Sequence, residues 1–75
     1  MTKGIYGVHD RLTGYQLIFF EDNDATAQRF FSATYATAPQ KFKDDMELWH
    51  LGLFDTKTGD IEVDEKYFLM NFGDE

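Results

Sequence analysis

A five-residue frame occurs twice in this 75-residue chain. Asp10-Arg11-Leu12-Thr13-Gly14 and Asp55-Thr56-Lys57-Thr58-Gly59 share the pattern D-x-x-T-G, and each lies between runs of strand character. An aspartate at the start of a turn hydrogen-bonds backbone just ahead of it. A glycine at the end supplies the positive φ that rejoins the strand twist, commonly through a bulge. The frame predicts two hairpins of one design.

The arms of those hairpins follow from alternation. Ile5-Tyr6-Gly7-Val8-His9 and Tyr15-Gln16-Leu17-Ile18-Phe19-Phe20 flank the first turn. Residues 46–54 form the longest apolar-rich run and suit a central strand, while Ile61-Glu62-Val63-Asp64 alternates as an edge strand with Glu62 and Asp64 toward water. Between the hairpins, Asn23 or Asp24 offers a helix N-cap, and Ala27, Phe30, Phe31, Thr34, Tyr35 and Ala38 recur at helical spacing before Pro39 ends the helix. Residues 40–45 read as a polar connection. Residues 67–72 leave three readings open: an extension of the fourth strand, a fifth strand, or a docked turn, with residues 73–75 fraying. The fold class is α+β, in ββαββ order: a four-stranded antiparallel sheet from two hairpins with one helix packed on one face. Residues 1–75 form a single domain, with 65–75 a flexible or docked C-terminal tail.

A domain this small buries a modest fraction of its surface, and the chain has no cysteine to staple it. Self-association is the remaining support. Eight Phe, four Tyr and one Trp argue for a packed core despite a net charge of −7. That charge repels phosphate backbones and membrane surfaces at long range, which disfavours DNA binding without excluding it. No run approaches the roughly 18 apolar residues of a membrane span, and no secretory leader is evident, so a soluble intracellular protein without membrane contact is expected.

Scoring each strand on alternate residues makes both sheet faces apolar. Tyr15, Leu17 and Phe19 share one side of the second strand and Ile18 and Phe20 the other; Leu48 and Phe54 oppose Trp49, Leu51 and Leu53 on the third. One helix covers one face. The second face, with Phe20, Trp49, Leu51 and Leu53, is expected to bury itself in a homo-oligomer, a dimer first. The alternatives are a cover made by residues 67–72 and an open aromatic platform for nucleic-acid bases.

No reaction centre is legible. His9 and His50 sit in strands without a nucleophile at catalytic spacing, so structural roles are expected and no catalytic residue is assigned. Asp22-Asn23-Asp24 and the Asp44-Asp45 pair with Glu47 lack the alternation, central glycine and closing glutamate of a calcium loop. No phosphate cradle appears. Neither a metal nor a cofactor is expected.

Several segments resemble a known family. Tyr6, Asp10, Thr13-Gly14, Asn23-Asp24-Ala25-Thr26-Ala27, Arg29-Phe30, the run from Asp45 to Asp55, and Thr58-Gly59 are similar to the small nonstructural protein of gokushoviruses, tailless bacteriophages with single-stranded DNA genomes. The likeness covers positions 6 to about 61 and is most specific in N-D-A-T-A-x-R-F and L-x-x-L-G-x-F-D-x-x-T-G. It departs at Lys43, where the family pattern has proline, and beyond Val63. The resemblance implies a nonstructural protein in the cytoplasm of a bacterial host, assisting viral single-stranded DNA synthesis or packaging. Its partners would be single-stranded DNA or phage replication and capsid proteins. If DNA is engaged, exposed rings at Tyr6, Tyr15 and Trp49 with Arg11, Lys57 and Lys66 are the expected contacts. A different class also fits the acidity: an adaptor or DNA mimic that binds a host or phage protein without touching DNA.

Overall fold

The computed structural model describes residues 2–71, without the side chains at positions 40, 41, 64 and 65. The expected fraying of residues 73–75 lies outside the described residues. Chain order is β1 (Thr2–Asp10), β2 (Gly14–Glu21), α1 (Asp24–Tyr35), α2 (Gln40–Lys43), β3 (Met46–Asp55) and β4 (Ile61–Asn71). The strands form one antiparallel sheet in the order β2-β1-β3-β4, so the two hairpins join through β1 and β3. This is the ββαββ fold expected, with one turn of helix, α2, where a polar connection was expected.

Both D-x-x-T-G segments are the predicted turns. Asp10 accepts a hydrogen bond from the Leu12 amide at 2.8 Å, and Asp55 accepts from Lys57 and Thr58 at 2.8 and 3.2 Å. Gly14 and Gly59 carry φ values of 95° and 80°, which a Cβ would resist. Thr2 pairs with Asp55 and Asp10 with Met46, so the turns sit at opposite ends of the sheet.

Helix α1 starts at Asn23, whose side chain accepts from the Thr26 amide at 2.9 Å while Thr26 accepts from the Asn23 amide at 3.3 Å. This reciprocal pair satisfies two groups at the helix start, and Lys43 donates to the Ala36 carbonyl beyond its far end at 2.7 Å. The helix presses Ala27 and Phe31 onto Tyr6, Val8, Met46 and Leu48 of the sheet, with Phe19, Tyr35, Leu69 and Met70 packed around them. Phe31 and Tyr35 take the positions expected. Phe30 differs: it remains 37% exposed, because it rides at the edge of the helix against Phe19 of the outer strand β2, ring centroids 4.5 Å apart.

Of the three readings left open for residues 67–72, the strand extension holds over the described part, and the alternation expected of β3 is corrected. Residues 67–71 extend β4 as the sheet edge and do not cover the second face; the Asn71 amide fastens that end by donating to the Met46 and Asp44 carbonyls at 3.2 and 3.4 Å. The alternation of β3 also breaks. Tyr6 pairs with His50 but Ile5 with Gly52, leaving Leu51 as an extra residue in a bulge. Past a bulge the sides exchange. Phe54 therefore packs on Phe20 of the open face, centroids 5.3 Å apart, and Leu53 turns to the helix side beside Tyr6 and His50.

Candidate functional site

The face away from α1 is an apolar surface in two halves. At the end nearer the second turn, Phe20, Phe54, Ile61 and Val63 meet through the pairings Ile5 with Phe20, Phe54 with Ile61 and Gly52 with Val63. Ile61 and Val63 are strongly exposed for branched aliphatics, Val63 at 89%. At the other end the register brings Ile18, Gly7, Trp49 and Phe68 into one row. The Trp49 and Phe68 rings meet edge to face at 5.7 Å. A register shift opposite Val8–His9 turns Tyr15 away from the side of Leu17 and Phe19 where alternation put it, and its ring covers Gly7, where a Cβ would come within 2.9 Å of the ring and 2.8 Å of Leu51. Tyr15 and Phe68 are each nearly half exposed. Lys66 reaches toward Tyr15, its ammonium 6.0 Å from the ring centroid, at the outer limit of a cation–π contact.

Glu47 organises the polar rim of this second half. It accepts from Arg11 Nε at 2.9 Å and from the Trp49 indole at 3.2 Å, and it contacts His9 Nδ1 at 2.9 Å. Burial pushes its carboxyl upward, but these three partners outweigh it and hold Glu47 below the usual glutamate value. Tyr15 packs against His9 at a tilt of 59°, centroids 4.7 Å apart, and burial followed by the Glu47 charge pushes its hydroxyl up.

The expected nucleic-acid residues therefore separate. Tyr15, Trp49, Lys66 and Arg11 gather at one end of the open face. Tyr6 does not: at 1% exposed it is a core residue beneath α1 and offers no ring for stacking. Lys57 lies on the second turn, at the far end of a molecule 40 Å long. Arg11 is already ion-paired to Glu47. Of the expected interface residues, Phe20, Trp49 and Leu51 lie on the open face, and the bulge removes Leu53 to the other side. Phe68, Ile61 and Val63 join the open face without having been singled out. For Phe68 the signal, the alternation of β4, was obscured by register shifts opposite Leu48–Trp49 and His50–Gly52, whereas Ile61 and Val63 alternate with Glu62 in unbroken register.

Charge divides between the two sides as well. On the open side alternation places His9, Glu47 and Lys66, whereas Asp10, Glu21 and Glu62 point to the helix side, where Asp22 and Asp24 flank the start of α1 and Lys3 reaches Asp22 at 3.8 Å. Among the described residues no cluster of His, Asp and Glu is arranged to hold a metal, and no helix is long and apolar enough to cross a membrane.

No curated protein and no solved structure matches the chain. The family model of the Phage ORF5 protein matches residues 3–74, from the first strand through the segment beyond Val63 where the gokushovirus likeness ran out. With nearly its whole length matched, the chain belongs to the Phage ORF5 protein family.

Proposed function

We propose that this phage protein is the small nonstructural protein of a gokushovirus and assists viral single-stranded DNA synthesis or packaging in the bacterial cytoplasm. In this reading it is a dimer whose open sheet face is shared between a second copy and a single strand. The observation that carries the reading is a sheet face left uncovered by the helix, aromatic at one end and aliphatic at the other. Tyr15, Trp49 and Phe68 form a platform on which unpaired bases stack, each contact contributing about 1–3 kcal/mol irrespective of base identity. Lys66 supplies a cation there, and Asp10, Glu21, Asp22, Asp24 and Glu62 lie on the far side. Phe20, Phe54, Ile61 and Val63 form an apolar patch of the kind soluble monomers seldom leave open, and a twofold pairing covers both copies at once. We assign no reaction to the chain.

Two variants separate the halves. Val63→Lys is expected to shift the sedimenting mass from dimer to monomer at tens of micromolar. Phe68→Ala is expected to leave the mass unchanged and weaken binding of a labelled single-stranded oligonucleotide by about tenfold, the equivalent of one lost stacking contact. A protein that stays monomeric and ignores oligonucleotides at low salt would transfer the function to the acidic side, as an adaptor or DNA mimic.

A further inference from the structure

The acidic side of the molecule carries a cleft of about 580 Å³ between the start of α1 and the sheet, lined among others by Tyr6, Asp22, Asp24, His50, Leu53 and Tyr67. Asp24 organises its floor. Tyr6 donates its hydroxyl proton to Oδ1 and Tyr67 to Oδ2, both at 2.8 Å. Burial, then the hydrogen bond to Asp24, pushes the Tyr6 hydroxyl far above its ordinary range, so the proton stays in that bond. With both protons committed to Asp24, the phenol and carboxylate groups turn lone pairs toward whatever enters.

A second observation comes from the cleft's inner wall. His50 is 4% exposed, stacks on Tyr67 at 4.5 Å and 16°, and meets Tyr6 edge-on at 5.3 Å. Its Nδ1 is buried without a hydrogen-bond partner. A buried orphan of this kind calls for a ligand or a water. The start of a helix ordinarily invites an anion. Here Asn23 caps it, Asp24 occupies its first turn, and Asp22 stands beside it, ion-paired to Lys3 at 3.8 Å. Lys3 also lines the cleft, but the two carboxylates outnumber it, so the site disfavours anions and offers acceptors between aromatic rings. A planar cation rich in N–H donors matches that chemistry, and a guanidinium stacks on rings as it hydrogen-bonds.

We propose that this cleft is a docking site for an arginine side chain on a basic segment of a protein partner, with Asp24 and Asp22 receiving the guanidinium and the Tyr67–His50 stack forming its wall. The same carboxylates disfavour phosphate-bearing partners. The proposal does not rest on the single-strand reading, because the cleft and the open face lie on opposite sides of the sheet.

The test is an NMR titration of the whole protein with N-acetyl-argininamide, following the ring resonances of His50 and Tyr67, with the neutral isostere N-acetyl-citrullinamide and inorganic phosphate as controls. Saturable shifts with a millimolar dissociation constant are expected for the arginine compound, and none for either control. Asp24→Asn is expected to weaken binding at least tenfold. Asp22→Asn, on the exposed rim, is expected to weaken it severalfold with the unligated spectrum otherwise preserved. Absence of shifts at 50 mM (roughly ten times a weak millimolar constant) would overturn the proposal, as would equal binding of the citrulline compound or shifts caused by phosphate.

Discussion

The covered and open faces of the sheet are made from the same residue types, yet they are built to different ends. Under α1, Val8, Phe31 and Leu48 are fully buried, and Tyr6 and Tyr67 both donate to Asp24, while His50 Nδ1 is buried without a partner. On the other side Ile18, Phe20, Val63 and Phe68 stand in solvent with ring contacts but no layer above them. The covered face is where the hydrophobic effect has already been spent on folding. On the open face it is still available for binding. Helix α1 covers one face, α2 is a single turn, and β4 continues along the sheet edge instead of folding over the other face.

Substitutions should expose that difference in graded fashion. The largest effect is expected on the covered face: Leu48→Ala should lower unfolding free energy by about 2–5 kcal/mol. An equally drastic change on the open face, Val63→Ser, should cost within about 0.5 kcal/mol in dilute protein. Urea unfolding of both variants at low concentration reads the contrast, and equal losses would erase it. Next is the polar support of the covered face. Asp24→Asn removes the charged acceptor of two tyrosine hydroxyls, and a loss of about 1–3 kcal/mol is expected in the same measurement.

The open face has a milder dependence of its own, on pH. Glu47 is held below the ordinary glutamate value by Arg11, His9 and Trp49 against the effect of burial, and Asp55 is held low by the Lys57 and Thr58 amides. A carboxyl whose folded value is depressed contributes stability that is present above its unfolded value and is lost as pH falls through the folded one. Stability should therefore be steady near neutrality and decline below about pH 4, where free carboxyls titrate. Glu47→Gln should flatten part of that decline, seen as a smaller change in urea midpoint between pH 6 and pH 3. A small effect is also expected at the turns: Gly14→Ala and Gly59→Ala should each cost about 1 kcal/mol, because both place a Cβ at positive φ. Similar losses at the two sites would support a shared turn design.

The parts legible in the sequence are those governed by local chemistry. Asp and Gly specify the two turns without reference to the rest of the chain, and the stripe from Ala27 to Tyr35 places the helix. What was hidden depends on long-range register. The bulge at Leu51 exchanges Leu53 and Phe54 between faces, which strict alternation cannot foresee. Tyr6 reads as any strand tyrosine until strand order places it under α1 against Phe19 and His50. The acidic cleft draws on residues as far apart as Asp24 and Tyr67, whose alignment follows only once β4 is known to continue past residue 66.

The open face carries its own probe, since Trp49 is the sole tryptophan and sits in the aromatic row beside Phe68. Its emission during titration with a single-stranded oligothymidylate, repeated across a salt series, tests the division of the two faces most directly. Saturable quenching is expected, with a salt slope shallower than about −2, the equivalent of roughly three phosphate contacts. Emission unchanged by the single strand at low salt, or tighter binding to duplex with a steep slope, would contradict it.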